Sequence, residues 1–202
     1  ALDLNVKRIV FGECGHAWRV AYSFLNTLAG PFDFLDSKYP VPQHICEVTY
    51  DMIKKNVLLL DKSANDDMVI TYHDSCNVAR GSNMGDILGG QFIIPREIIK
   101  SSVNKFYDME EETIHEKTYC CGGGGGLLTD DLIELRVKGA LPRMEALKKV
   151  VDEYGVTHMA AICAICKSQF SKVFQYYGFE LDQIISLHQL VGNALVMNKK
   201  EV

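Results

Sequence analysis

The sequence predicts an α/β fold with a mainly parallel sheet flanked by helices. Three short runs rich in apolar and β-branched residues, Val6–Phe11, Met68–Tyr72 and His158–Ile162, are each followed by a turn and a segment with helical spacing of apolar residues. Strand–turn–helix units in series are typical of parallel sheets. Because cysteines follow these runs, we expect the cysteine-bearing loops to lie together at one sheet edge.

The first 60 residues are predicted to form one strand and two helices. The strand Val6–Phe11 is followed by a helix over His16–Leu28, in which Trp18 and later apolar residues recur every three or four positions. Glycine and prolines predict a loop over Gly30–Pro42. His44–Lys55 is predicted as a second amphipathic helix.

The rest of the chain continues the alternation after a polar linker at Asp61–Asp67. Proline in a first helical turn, acidic residues at a helix start and glycine at a helix end mark the boundaries. The predicted elements are the strand Met68–Tyr72, a loop with a short helix over Asn77–Gln91, a helix from Pro95 to about Val103, a charged exposed segment Lys105–Lys117, a helix from Asp130 that restarts at Pro142 and stops at Gly155, the strand His158–Ile162, the helix Lys167–Tyr177, a short strand or turn Leu181–Ser186 and the helix His188–Met197.

The composition excludes several classes of protein. A formal net charge of −5 and the lack of a basic run argue against a nucleic-acid partner. The apolar stretches are too short to span a bilayer, so membrane association would have to come from partner subunits. Seven cysteines without a signal peptide favour metal or redox chemistry over a disulfide framework.

Two segments of the chain resemble each other. Phe11-Gly-Glu-Cys14 precedes a helix and then His44, and Cys163-Ala-Ile-Cys166 precedes a helix and then His188. We interpret residues 1–60 as the tail of a degenerate first repeat and residues 61–202 as a complete second repeat. Because the chain begins at Ala1 inside a repeat, we expect it to be a fragment of a longer protein.

Five cysteines lie in motifs suited to metal binding. Cys163-Ala-Ile-Cys166 supplies two thiols at a strand-to-helix turn, and Cys120-Cys121 supplies two adjacent thiols beside glycine. Alone, the first pair also fits a thioredoxin-like redox couple or half of a zinc site. With Cys76, five candidate ligands exceed the four that zinc takes, which favours a multi-iron cluster.

Five consecutive glycines, Gly122–Gly126, follow the cysteine pair. No Lys-Ser/Thr follows them, so a P-loop is excluded. We interpret Gly122, Gly123 and Gly124 as a loop that wraps closely around a cofactor and directs backbone N–H groups toward its sulfides. His73 and Asp74, which precede Cys76, either tune the site by hydrogen bonds to cluster sulfur or only shape the turn. The histidines His16, His44 and His188 are predicted to be structural. Lys167 is predicted to be an exposed helix lysine, with a contact to an anionic cluster as the alternative.

The motifs around Cys76, Cys120 and Cys163 resemble the cysteine-rich CCG domain of heterodisulfide reductases. The resemblance covers residues 61–202, with a partial copy before them. It implies a non-cubane [4Fe–4S] cluster, at which a disulfide is reductively cleaved. Its implied ligands are Cys76, Cys120, Cys121, Cys163 and Cys166. Because Phe11 replaces a ligand in the first copy, one cluster is implied, and Cys14 is either a thiol facing substrate or a buried one.

Within that family the chain is most similar to DsrK-like subunits, the catalytic iron–sulfur subunits of DsrMKJOP membrane complexes. This similarity implies a cytoplasmic location, membrane association through other complex subunits, a haem-bearing membrane subunit as electron partner, and a trisulfide or disulfide on the small sulfur carrier DsrC as substrate. Two alternatives remain open. One is an electron-transfer iron–sulfur subunit of a flavin-linked hydroxy-acid oxidase, and the other is a zinc-stabilised interaction module without catalysis.

Overall fold

The computed structural model describes residues 3–29 and 42–197. The predicted loop Gly30–Pro42 lies outside this part, except for Pro42. Five strands are described: β1 (Ile9–Phe11), β2 (Pro42–His44), β3 (Ile70–His73), β4 (His158–Ala161) and β5 (Ile184–Ser186). The α-helices are α1 (Gly15–Ala29), α2 (Ile45–Lys54), α3 (Cys76–Ala79), α4 (Gly90–Ser102), α5 (Ile133–Tyr154), α6 (Ala164–Val173) and α7 (Leu187–Ala194).

The strands form two parallel sheets, which confirms the predicted α/β class. β1 pairs with β2, and a second sheet has the order β3–β4–β5. His73 pairs with Ala161, so β3 and β4 end side by side. Every residue of β3 is buried, as expected for a parallel strand that is covered on both faces.

Two hydrophobic clusters cover the two faces of the larger sheet. Ile70 and Tyr72 pack with residues of α4 and α7 in the first cluster. Met159, from the opposite face, packs with α5 and α6 in the second. Trp18 and Cys46 also belong to the first cluster, so the N-terminal 60 residues and the rest of the chain share a core.

The segment predicted as a linker, Asp61–Asp67, is integrated into this core. It contains a 3₁₀ turn over Lys62–Asn65. Asn65 is fully buried and donates hydrogen bonds to the carbonyl oxygens of Ser102 and Leu190, at 2.9 and 3.1 Å. The boundary proposed at residue 61 therefore separates two sequence repeats, and it does not separate two hydrophobic cores, because the two segments pack together.

Several helices differ from their predicted bounds, and α4, α5 and α6 begin at least three residues away from the predicted start or continue past a predicted break. α4 begins at Gly90, which places Pro95 inside the helix. α5 continues through Pro142 without restarting, because Ala140 and Met144 on either side are buried in the second cluster and hold the helix together. α6 begins at Ala164, where the Cys163 carbonyl accepts from the amide of Lys167.

The charged segment Lys105–Lys117 is not the exposed strip predicted. Met109, Thr113 and Ile114 are buried within it. The Thr113 carbonyl accepts a hydrogen bond from the fully buried guanidinium of Arg143. The segment packs against the protein because the buried guanidinium of Arg143 requires hydrogen-bond acceptors, and Thr113 supplies one. The local sequence of the segment does not reveal this partner.

His44 ends β2 and caps α2. Its Nδ1 accepts from the amide of Cys46, and the Glu47 carboxylate accepts from the His44 amide, forming a capping box. The ring is fully buried and lies edge-on to Trp18, with centroids 5.6 Å apart. Burial lowers the pKa of His44 to about 4, against the opposing effect of the Glu13 carboxylate.

We expect the free energy of unfolding to fall as the pH is lowered from about 6.5 to about 4. In this window the unfolded chain protonates His44, whereas the folded chain keeps it neutral, so protons favour the unfolded state. The loss is on the order of 3 kcal/mol, measurable by urea unfolding at a series of pH values. A His44→Asn variant retains a capping acceptor but does not titrate, and an unchanged pH slope in it would contradict this assignment.

Candidate functional site

The site begins where two neighbouring strands end. Cys76 follows β3 and starts α3, while Cys163 follows β4 and immediately precedes α6. Because β3 and β4 are adjacent and parallel, their carboxyl ends deliver both cysteines to the same edge of the sheet. Cys166 lies in the first turn of α6, and its Sγ is 3.8 Å from the Ser75 hydroxyl.

The adjacent pair Cys120 and Cys121 enters the same region from the loop before α5. The next residue, Gly122, has a φ of +85°. A Cβ there would lie 2.6 Å from the Ala140 nitrogen and from the Arg136 carbonyl oxygen, so only glycine fits against α5. The Gly122 amide lies 3.3 Å from Cys120 Sγ and donates to it. The sequence-based prediction for the glycine loop concerned the sulfides of a cofactor, and this contact to a cysteine sulfur leaves it a prediction.

Five cysteines from these three segments interact through their thiols. Cys76 interacts with Cys120, Cys120 with Cys121, Cys121 with Cys166, and Cys166 with Cys163. Cys121, Cys163 and Cys166 are buried, whereas Cys76 and Cys120 are half-buried. The structure therefore brings together all five residues of the cysteine pattern, with one side open.

The thiols influence one another's ionisation. Hydrogen bonds from Cys121 and Cys76 lower the pKa of Cys120, and a hydrogen bond from Cys166 lowers the pKa of Cys163 to about 4. The same contacts raise the pKa of Cys76, Cys166 and Cys121, the last to about 12. Five adjacent thiols resist simultaneous ionisation unless cations neutralise them.

Histidine and arginine complete the surroundings of the thiols. A ring nitrogen of His73 and the Sγ atoms of Cys121 and Cys166 all lie within 4.8 Å of one another. His16, interpreted from sequence as structural, interacts with Cys163 and with the Asn77 amide. The sequence carries no signal for His16, because its partners are about 60 and 150 positions away.

Arg143 places a positive charge in the protein interior near the thiols. It is fully buried, and no carboxylate of residues 3–29 or 42–197 forms an ion pair with it. Burial lowers its pKa to about 10, while the charges of Asp74, Cys166 and Cys121 oppose this effect. A buried cation beside a sulfur-rich donor set suits an anionic metal–sulfur group.

Glu13 ties the N-terminal segment to the turn at Cys163. Its carbonyl accepts from the Ala164 amide at 2.9 Å, and its carboxylate binds Lys167 Nζ at 2.5 Å and Ser186 Oγ at 2.6 Å. His188 Nδ1 lies 2.5 Å from the same carboxylate. Burial raises the pKa of Glu13, but these hydrogen bonds outweigh it and lower the pKa to about 2. Lys167 is thus a partner of Glu13 and not the free surface lysine expected.

The other two cysteines lie outside the group of five. Cys46 is fully buried in the first hydrophobic cluster. Cys14 is half-buried, and its carbonyl accepts from the Trp18 amide at the start of α1. Cys14 immediately precedes α1, just as Cys163 immediately precedes α6. The structure therefore aligns Cys14 with Cys163, whereas the sequence comparison aligned Cys14 with Cys166.

The donor set fits an iron–sulfur group. Soft thiolates favour zinc, copper(I) or iron–sulfur clusters, and five thiols exceed the four ligands of a closed zinc site. A cavity of about 280 Å³ opens beside Cys120, lined also by Leu127, Leu135 and Arg136. The half-buried thiol of Cys120 thus adjoins a space that a small group or side chain from outside can enter.

No family profile matches the chain. It is 38% identical to "Hdr-like menaquinol oxidoreductase iron-sulfur subunit 2" of Archaeoglobus fulgidus and 39% identical to "Hdr-like menaquinol oxidoreductase iron-sulfur subunit" of Archaeoglobus profundus. Each alignment includes 96% of this chain, which spans 38% of the length of these curated relatives. None of the described helices is both long and apolar enough to cross a membrane. The chain is therefore homologous, over nearly all of its residues, to part of the Hdr-like iron–sulfur subunits.

Proposed function

We propose that the chain is the cluster-bearing catalytic part of a heterodisulfide reductase-like complex, with a CCG domain of the DsrK type. The observation that carries the proposal is the meeting of five thiols from three separate segments around one half-open site. Cys76, Cys120, Cys121, Cys163 and Cys166 would hold a non-cubane [4Fe–4S] cluster. The names of the relatives support the iron–sulfur character.

When bound, such a cluster supplies one-electron redox chemistry and iron that can bind sulfur. The chain's own residues would anchor it and limit access to it. Cys121, Cys163 and Cys166 lie in the interior, whereas Cys76 and Cys120 are half-buried and would face the approaching substrate. Leu127 and Leu135 beside Cys120 offer apolar contact to a substrate that carries a sulfur–sulfur bond.

We further propose the partners and the location of the whole complex. The relatives are named menaquinol oxidoreductase subunits, which supports electron flow between a quinol and this chain. A haem-bearing membrane subunit would carry these electrons. The substrate would be a trisulfide or disulfide on a DsrC-type carrier. The chain would lie in the cytoplasm and associate with the membrane through other subunits.

Metal analysis of anaerobically purified protein tests the cofactor. We expect iron and acid-labile sulfide in equal amounts, close to four of each per chain, with an EPR signal in one redox state. Zinc without sulfide would overturn the proposal in favour of the interaction module.

Turnover tests the reaction. With a reduced viologen dye as electron donor, we expect a small disulfide or a carrier-protein trisulfide to be reduced by the intact complex. Iron and sulfide without such turnover, together with a flavoprotein that co-purifies, would favour the electron-transfer subunit of a hydroxy-acid oxidase.

Cys14→Ser is expected to leave the iron content unchanged, because Cys14 lies outside the group of five thiols. Its half-buried position makes alkylation by iodoacetamide the direct measure of access. Lost turnover with iron retained would support a thiol that exchanges with the incoming disulfide. Lost iron would instead make Cys14 a ligand and contradict the assignment.

A further inference from the structure

His73 is a fully buried polar side chain whose ring nitrogens are both unsatisfied. Neither Nδ1 nor Nε2 has a hydrogen-bond partner within the described ranges 3–29 and 42–197. Such groups are rare in native proteins, and each calls for an explanation. A nitrogen of this ring lies within 4.8 Å of both Cys121 Sγ and Cys166 Sγ. The ring therefore faces the thiols that would hold the iron–sulfur group.

The surrounding structure holds His73 in this position. It is the last residue of β3 and pairs with Ala161 of β4. Its ring meets Phe170 of α6 edge to face, with centroids 4.9 Å apart and planes at 88°. A side chain packed this way has little freedom to find another partner.

The next residue, Asp74, anchors the turn after β3. Its carboxylate accepts two hydrogen bonds from Arg96, at 2.9 and 2.7 Å. Its carbonyl accepts from Thr118 Oγ1 at 2.8 Å, and Thr118 in turn accepts from Arg143 at 2.9 Å. The backbone that directly follows His73 is thus fixed by buried hydrogen bonds to both the carboxylate and the carbonyl of Asp74.

The environment favours a hydrogen-bond donor over a sixth ligand. A histidine that binds metal nearly always donates its other N–H to a carboxylate, carbonyl or water. No such partner exists for either nitrogen of His73 in the described part of the chain. A ligating ring would therefore leave its N–H buried and unpaired, whereas a ring that donates to sulfur leaves only an acceptor unpaired, a less unusual state.

We propose that His73 donates an N–H hydrogen bond to a sulfur of the bound iron–sulfur group and thereby raises its reduction potential. The proposal rests on the proposed function, because it requires a resident cluster. The physical reason is that reduction adds negative charge to the sulfurs, so a fixed donor stabilises the reduced state more than the oxidised one.

The test compares His73→Leu with wild type by EPR-monitored redox titration of the anaerobically purified protein. We expect the iron content to be retained, since all five thiols remain. The equilibrium constant for reduction of the cluster should fall about tenfold, which lowers the midpoint potential by about 59 mV for a one-electron couple. His73→Gln keeps an N–H donor and should recover much of the difference.

Thr71→Val is the matched control. Thr71 lies two residues earlier on β3, is fully buried, and its hydroxyl also lacks a partner among the described residues. Its removal should leave the potential unchanged. A His73→Leu protein with wild-type potential would overturn the inference, as would one that loses iron, which would identify His73 as a ligand. Absence of a cluster from the wild type would instead refute the proposed function.

Discussion

Replacing Cys121 with serine is expected to abolish the iron and acid-labile sulfide of the purified protein. Cys121 is buried and interacts with both Cys120 and Cys166, so it stands at the middle of the five thiols. Loss of a hydrogen-bond partner of a metal ligand costs roughly 10–100-fold in affinity, and loss of Cys121, which we propose as a ligand, should cost more. Iron and sulfide assays after anaerobic purification measure the effect directly.

Cys46→Ser is the matched control for this variant. Cys46 is equally buried, but it lies in the hydrophobic cluster that contains Trp18 and Ile70. A serine there buries a hydroxyl and should cost about 1–3 kcal/mol of stability without loss of iron. Equal iron loss in the two variants would reverse the assignment, and full iron retention in Cys121→Ser would remove Cys121 from the ligand set.

Replacing Gly122 with alanine is expected to destabilise the fold by about 4 kcal/mol or more. Two effects combine at this position. The φ of +85° is strained for any residue with a Cβ, and that Cβ would lie 2.6 Å from backbone atoms of Arg136 and Ala140. Arg136 and Ala140 are on the packed face of α5, so this backbone moves away only at high cost. Urea unfolding compares the variant with wild type.

Gly126→Ala is the control that separates the effect of backbone strain from the effect of the steric clash at Gly122. Gly126 has a φ of +107°, but no described atom outside its immediate neighbours lies within 4 Å of the position that the alanine methyl group would occupy. We expect only the backbone strain, of order 1–3 kcal/mol. If both variants lose the same stability, the close approach of Gly122 to α5 is not the reason for glycine there. Because Gly122 also follows the cysteine pair, its replacement should lower the iron content as well.

Local sequence predicted much of the framework. Apolar runs indicated β3 and β4, and glycine indicated the end of α5, where Gly155 adopts a φ of +65°. The spacing of Cys163 and Cys166 indicated a strand-to-helix turn, and both residues lie there. These features depend on residues a few positions apart, which is why a single sequence reveals them.

Where local sequence signals predicted the structure wrongly, tertiary packing was the reason. Pro142 remains inside α5 because the flanking turns are buried, and Lys105–Lys117 is partly buried because Arg143 takes acceptors from it. Lys167 was predicted to be exposed, but it forms an ion pair with the carboxylate of Glu13, which is 154 positions away in the chain. None of these partners is a near neighbour in the chain.

The cysteine pattern, the glycine run and the α/β class were determined by the sequence alone, because each is a matter of residue type and short spacing. Only the tertiary structure decided which groups surround the thiols. It placed beside them the ring of His73, which has no hydrogen-bond partner among residues 3–29 and 42–197, and the buried guanidinium of Arg143. It also joined the Glu13 carboxylate to Lys167 in the helix that carries Cys166. The physical reason is that burial and hydrogen-bond partnership are properties of distant segments brought together by packing, and no pattern within one segment encodes them.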